Sequence, residues 1–183
     1  MGQPGDNGEW SLERQYDYLL MLARCHAPLL ALAQREPADL VQETCRLATA
    51  NRHQFRGRTE AEWRGWLRTI QRNALADLLR GAKGWPPRSL DQAVEESSAR
   101  LETFLAADES TPSARMMREE QLARLAEAVA GLPEDQRQAV QLHHLEGLPL
   151  LEVGRRMRRP KAAVAGLVFR GLKKLRDCLT EPK

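Results

Sequence analysis

Apolar positions along the chain recur mostly at three- and four-residue steps, and strand signals are nearly absent. β-Branched residues are scarce, no hairpin dipeptide separates alternating runs, and Ala, Leu, Arg and Glu dominate. The pattern predicts an all-α protein made of two small helical domains joined by a linker, the C-terminal one a helix-turn-helix. A first helix is expected from about Glu9 to Ala33 with a break near Pro28, and a second over about 38–53, where Leu40, Val41, Thr44, Leu47 and Ala48 share a face.

A third helix should start at Thr59, whose hydroxyl can cap it while Glu62 completes a capping box, and run to about Arg80. Trp63, Trp66, Leu67, Ile70, Ala74 and Leu78 form its apolar stripe, and Arg64, Arg68 and Arg72 line up at four-residue steps beside it. The residues alone admit two readings of that arginine row. One is a solvated helix face beside an ordinary core. The other is a single-strand DNA surface, where arginines hold phosphates and aromatic groups support unstacked bases.

Residues 81–113 concentrate Gly, Pro, Ser and acids, and Trp85-Pro86-Pro87 cannot continue a helix because proline lacks the donor. The expected organisation is a first domain over 1–83, a linker over 84–112 and a second domain over 113–183. A short amphipathic helix over Asp91–Ala107 is compatible with the spacing of Leu90, Val94, Leu101 and Leu105.

Beyond the linker, a helix from near Pro112 to Ala130 ends at Gly131, which tolerates the left-handed cap. Pro133 starts the next helix, with Glu134 and Asp135 suited to the positive end of its dipole, and Gly147 stops it. Pro149–Met157 follows, with Leu150, Val153 and Met157 facing inward. After the turn Arg158-Arg159-Pro160, a final helix buries Val164, Leu167, Val168, Leu172, Leu175 and Leu179. Its outward face carries Lys161, Ala162, Ala165, Gly166, Phe169, Arg170 and Lys173.

Charge sharpens this picture. Between Pro149 and Arg176 nine Lys or Arg face one acid, Glu152, for a local charge of +8, while the whole chain carries +3 and the remainder −5. Basic charge gathered at one end is the footprint of a phosphate-binding surface. With 42% apolar and 29% charged residues the composition is that of a globular domain, and no run approaches the roughly 20 apolar residues of a membrane helix. The N-terminus lacks the apolar core of a signal peptide, so a cytoplasmic protein without membrane insertion is expected.

Cys25, Cys45 and Cys178 are odd in number and far apart, which supports neither a disulfide framework nor a zinc knuckle. Cys25-His26 and His143-His144 lack an i+4 partner ligand, so no metal is expected. There is no Gly-rich phosphate loop, no G-x-S-x-G and no H-E-x-x-H; neither catalytic residues nor a cofactor are expected.

Two separate segments resemble the two conserved regions of extracytoplasmic-function (ECF) sigma factors, promoter-recognition subunits of bacterial RNA polymerase. Asp39-Leu40-Val41-Gln42-Glu43-Thr44 resembles the region-two motif that docks on the polymerase clamp. Phe55, then Trp66-Leu67-Arg68-Thr69-Ile70-Gln71-Arg72-Asn73 and Asp77, resemble the promoter-melting helix. Leu132-Pro133-Glu134-Asp135-Gln136-Arg137, with Glu152-Val153 and Val164, resembles region four.

The resemblance implies core RNA polymerase and promoter DNA as partners, and admits an anti-sigma factor or other regulatory protein. It assigns polymerase binding to Asp39, Leu40, Gln42 and Glu43. Contact with the minus-ten element falls to Arg64, Trp66, Arg68, Arg72, Asn73, Asp77 and Arg80. Contact with the minus-thirty-five element falls to Arg155, Arg159, Lys161, Ala162, Ala165, Gly166, Phe169, Arg170 and Lys173. The chain departs from the family pattern at Arg158, where glycine is usual, and at Ala165-Gly166-Leu167, where Lys-Ser-Arg is common, so its cations are expected mainly on phosphates. The alternative is a stand-alone helix-turn-helix regulator whose N-terminal helices dimerise or sense a ligand.

Overall fold

The computed structural model describes residues 10–81 and 112–180, and among them there are eight α-helices and no strand. They are α1 (Tyr16–Cys25), α2 (Ala27–Leu32), α3 (Pro37–Asn51), α4 (Glu60–Gly81), α5 (Pro112–Ala130), α6 (Glu134–Val140), α7 (Leu150–Met157) and α8 (Lys161–Thr180). A 3-10 turn, Arg52–Gln54, extends α3, and a π turn, Gln141–Leu145, extends α6. The linker helix expected over Asp91–Ala107 lies outside the described residues.

The first helix begins at Tyr16 rather than near Glu9. Residues 10–15 form turns instead, held by i→i+3 bonds from the Gln15 amide to the Leu12 carbonyl and from the Tyr16 amide to the Glu13 carbonyl, with the Ser11 hydroxyl accepting the Arg14 amide at 3.3 Å. The break falls at His26, because Pro28 belongs in the first turn of α2, where its missing N–H leaves no bond unmade. Helix α3 opens with a capping box: Glu36 accepts the Asp39 amide, and Asp39 accepts the Glu36 amide at 2.9 Å. Helix α4 does the same with Thr59 and Glu62, bonded reciprocally at 3.0 and 3.2 Å.

The apolar stripe of α4 is turned relative to its expected position. Trp63, Leu67, Ala74, Leu75 and Leu79 are buried, whereas Trp66, Ile70 and Leu78 are half-buried at its edge. Gln71 sits inside the stripe and remains satisfied because its amide donates to the Leu19 carbonyl at 2.9 Å.

Helix α5 packs against α1 and α4, so it belongs to the first core and not to the helix-turn-helix alone. Its Leu122, Leu125, Ala126 and Val129 recur at helical spacing and join Leu19, Leu40, Trp63 and Leu67 in one cluster, which continues to Val140, Leu145 and Leu175. A second, smaller core of Ala139, Leu142, Val153, Val164, Leu167 and Val168 holds α6, α7 and α8 together. Truncating a fully buried leucine of the larger core, such as Leu67→Ala, should cost about 2–5 kcal/mol.

Candidate nucleic-acid interface

The turn into α7 is built by Gly147, at φ 74°, and by the Leu148 amide donating to the Leu142 carbonyl at 2.9 Å. His143 secures it from the side, with Nδ1 2.7 Å from the Leu148 carbonyl, and its ring meets that of His144 edge-on at 4.7 Å. Burial, and then the charge of His143, hold the His144 imidazole below its usual pKa of 6.5.

The turn between α7 and α8 requires a left-handed residue, and Arg158 supplies it at φ 53°, ψ 42°. The Arg159 amide then donates to the Gly154 carbonyl at 2.9 Å, closing the end of α7. A non-glycine residue there carries a strain of about 1 kcal/mol. Gly154 is equally specific: a Cβ on it would stand 2.8 Å from the Arg159 carbonyl oxygen. A Cβ on Gly171 would lie 2.7 Å from Val140 Cγ2, so this glycine brings α8 close to α6. Sequence reasoning missed both; their one signal is glycine inside an otherwise helical pattern.

With the helices so placed, Lys161, Ala162, Phe169, Arg170 and Lys173 of α8 are exposed, and Ala165 and Gly166 are half-buried beside them. Phe169 is 71% exposed. The Arg170 guanidinium folds back over Gly166, its Nη1 3.3 Å from where a Cβ would be. Among the arginines before α8, Arg159 pairs with Asp135 at 2.7 Å and Arg155 with Glu152 at 3.3 Å. Both guanidinium groups remain open to water.

The arginine row of α4 stands in different surroundings. Arg64 pairs with Glu60 at 2.7 Å and donates to Gln15 Oε1 at 3.1 Å, with its side chain only 12% exposed. Arg68 pairs with Glu119 of α5 at 3.1 Å, and the same carboxylate accepts the Tyr18 hydroxyl of α1. Burial, and next the charge of Glu119, push the Tyr18 phenol well above its ordinary range. Arg72 and Asn73 face solvent, and Arg80 pairs with Asp77. Trp66 stacks on Trp63 with centroids 5.0 Å apart and the planes inclined by 27°, while Phe55 approaches both rings. Gln15, Tyr18, Glu60 and Glu119 were not anticipated as members of this site.

In α3, Gln42 is exposed and Asp39 is spent in part on its capping bond. Leu40 is fully buried, so it positions its neighbours and offers no surface to a partner. Glu43 takes two bonds from Arg46, at 2.6 and 2.8 Å, which hold its carboxyl below the usual range.

Three helices joined by tight turns, with an exposed cationic last helix, are the arrangement of helix-turn-helix DNA-binding proteins. Residues 122–175, from α5 into α8, match the family model described as Sigma-70, region 4. None of the curated proteins matches the chain. No helix among the described residues is long and apolar enough to cross a membrane.

Proposed function

We propose that the chain is a sigma factor of the extracytoplasmic-function type, binding core RNA polymerase and directing promoter recognition, melting and transcription initiation in the cytoplasm. The observation that carries this reading is the region-4 match over 122–175, coincident with a helix-turn-helix whose last helix is basic. In this reading α8 enters the minus-thirty-five duplex, with Lys161, Arg170 and Lys173 on phosphates and Arg155 and Arg159 leaving their acids to join them.

The N-terminal half has the remaining tasks. Asp39, Gln42 and Glu43 offer acids and an amide to a basic surface of the polymerase clamp, with Leu40 fixing them from below. Helix α4 engages the minus-ten strand through Arg72, Asn73 and the groups around Trp66, where bases leave the stack. Arg68 joins them only by exchanging Glu119 for a phosphate. An anti-sigma factor is a partner consistent with this assignment.

The test is co-elution of the purified chain with bacterial core RNA polymerase, followed by displacement with a housekeeping sigma factor. Competitive binding is expected. A folded chain that ignores the polymerase but binds a palindromic duplex alone would instead be a stand-alone regulator. The internal pairing of Arg64 and Arg68 favours that second reading, because it withdraws two cations from single-stranded DNA.

A further inference from the structure

Eight consecutive residues of α8, Ala162 to Phe169, carry no side-chain donor or acceptor. Val164, Leu167 and Val168 of this run are buried in the smaller core. Ala162, Ala165, Gly166 and Phe169 stand at steps of three, one and three, and so share one face of the helix, on which Ala162 and Phe169 are exposed and Ala165 and Gly166 half-buried. Cations border that face at both ends, with Lys161 before it and Arg170 and Lys173 after it, all exposed. One exposed phenylalanine on a protein surface needs no explanation. An apolar strip framed by exposed cations on the helix that would enter a groove does.

The charge frame selects the occupant, since lysine and arginine at both ends of an apolar strip complement a polyanion whose interior edge has an apolar feature. In the major groove that feature is the C5 methyl of thymine; every other mark on the base edges is a hydrogen-bond donor or acceptor. From Ala162 to Phe169 the helix advances about 10 Å, or about three base steps of duplex. Gly166 keeps the backbone low in the middle of the strip, and the Arg170 guanidinium that folds over it must swing out to a phosphate before the groove can approach closely.

We infer that this helix selects its duplex by apolar contact with thymine methyl groups, Phe169 being the chief specificity-determining residue and Ala162 and Ala165 its companions. The cations supply affinity through phosphates, and the strip supplies sequence preference without a side-chain hydrogen bond. The inference rests on the proposed sigma-factor reading and adds to it what the minus-thirty-five element must contain.

The test uses the full chain with core RNA polymerase. A promoter duplex is selected by that complex from a random pool, and each thymine of its upstream element is then replaced in turn by deoxyuridine, which removes only the methyl. Two or three neighbouring replacements should each weaken binding about fourfold, the worth of one buried methyl. With Phe169→Ala the difference between thymine and deoxyuridine should vanish at the position the ring covers. Phe169 is exposed, so this variant keeps the fold.

Selected sequences whose affinity ignores the methyl overturn the inference and leave the sigma-factor reading standing. So does a Phe169→Ala loss of equal size on both duplexes, which would assign the ring to another partner. A complex that never forms, on the polymerase or on DNA, overturns both.

Discussion

Two parts of this chain gather cations, the arginine row of α4 and the mixed lysines and arginines of α7, α8 and the turn between them, and their surroundings divide them. On α4, Arg64 and Arg68 are held by Glu60, Gln15 and Glu119, two of these coming from distant parts of the chain, and their side chains are 12% and 33% exposed. On the last two helices and the turn between them, Arg155 pairs with Glu152 and Arg159 with Asp135, acids that are themselves open to water, Arg170 folds over Gly166, and these side chains, with those of Lys161 and Lys173, face water. A row of arginines at helical spacing is therefore not by itself a nucleic-acid surface. Burial and counter-charge decide whether the row holds the protein together or is available to phosphate.

The largest way to break that contrast is at Glu119. Glu119→Gln removes the charge that answers Arg68 and accepts the Tyr18 hydroxyl, and should cost about 2 kcal/mol, the buried-pair penalty reduced because Arg68 is one-third exposed. Urea unfolding followed by circular dichroism measures this; an unchanged midpoint would mean that the pair holds nothing. Next in size is Arg158→Gly, which relieves the left-handed strain and should stabilise the helix-turn-helix by up to about 1 kcal/mol. A loss of stability there would show that the arginine side chain compensates for its backbone.

The contrast also predicts a difference in salt dependence. Lys173→Ala should reduce the slope of log affinity against log salt for duplex DNA by about one, whereas Arg64→Ala should leave it unchanged. Equal slopes for the two variants would erase the distinction between the rows. The smallest effect concerns pH. Because the folded His144 is held below 6.5, the unfolded chain takes up its proton first as pH falls, so this contribution is complete above about 6.5 and is lost progressively below it. Melting at pH 5.5 and 7.5 should show the helix-turn-helix less stable at the lower pH, and His144→Gln should reduce the difference.

Much of the fold was legible because it is written locally. Thr59 with Glu62, Gly147, and the turn before Pro160 announce helix ends by chemistry that operates within four residues. The left-handed Arg158 was foreseeable once glycine was expected there. The rest depends on distance. Nothing in the spacing of Leu122, Leu125 and Val129 says that their partners are Leu19 and Leu67, and Arg68 meets Glu119 across 51 positions of sequence. Leu40 was placed both on the apolar face of the second helix, with which its burial agrees, and in the polymerase-binding motif, to which it offers no exposed side chain.

The placement of α5 has a consequence in time. A ribosome delivers α1, α3 and α4 first, and the face that will hold Leu122 and Leu125 waits while some forty further residues are added, about 2–8 s at ordinary elongation rates. During that interval the nascent chain presents an unfinished apolar groove, available to a chaperone or to another chain. Helix α5 thus completes the core of the helices that precede it as well as joining those that follow.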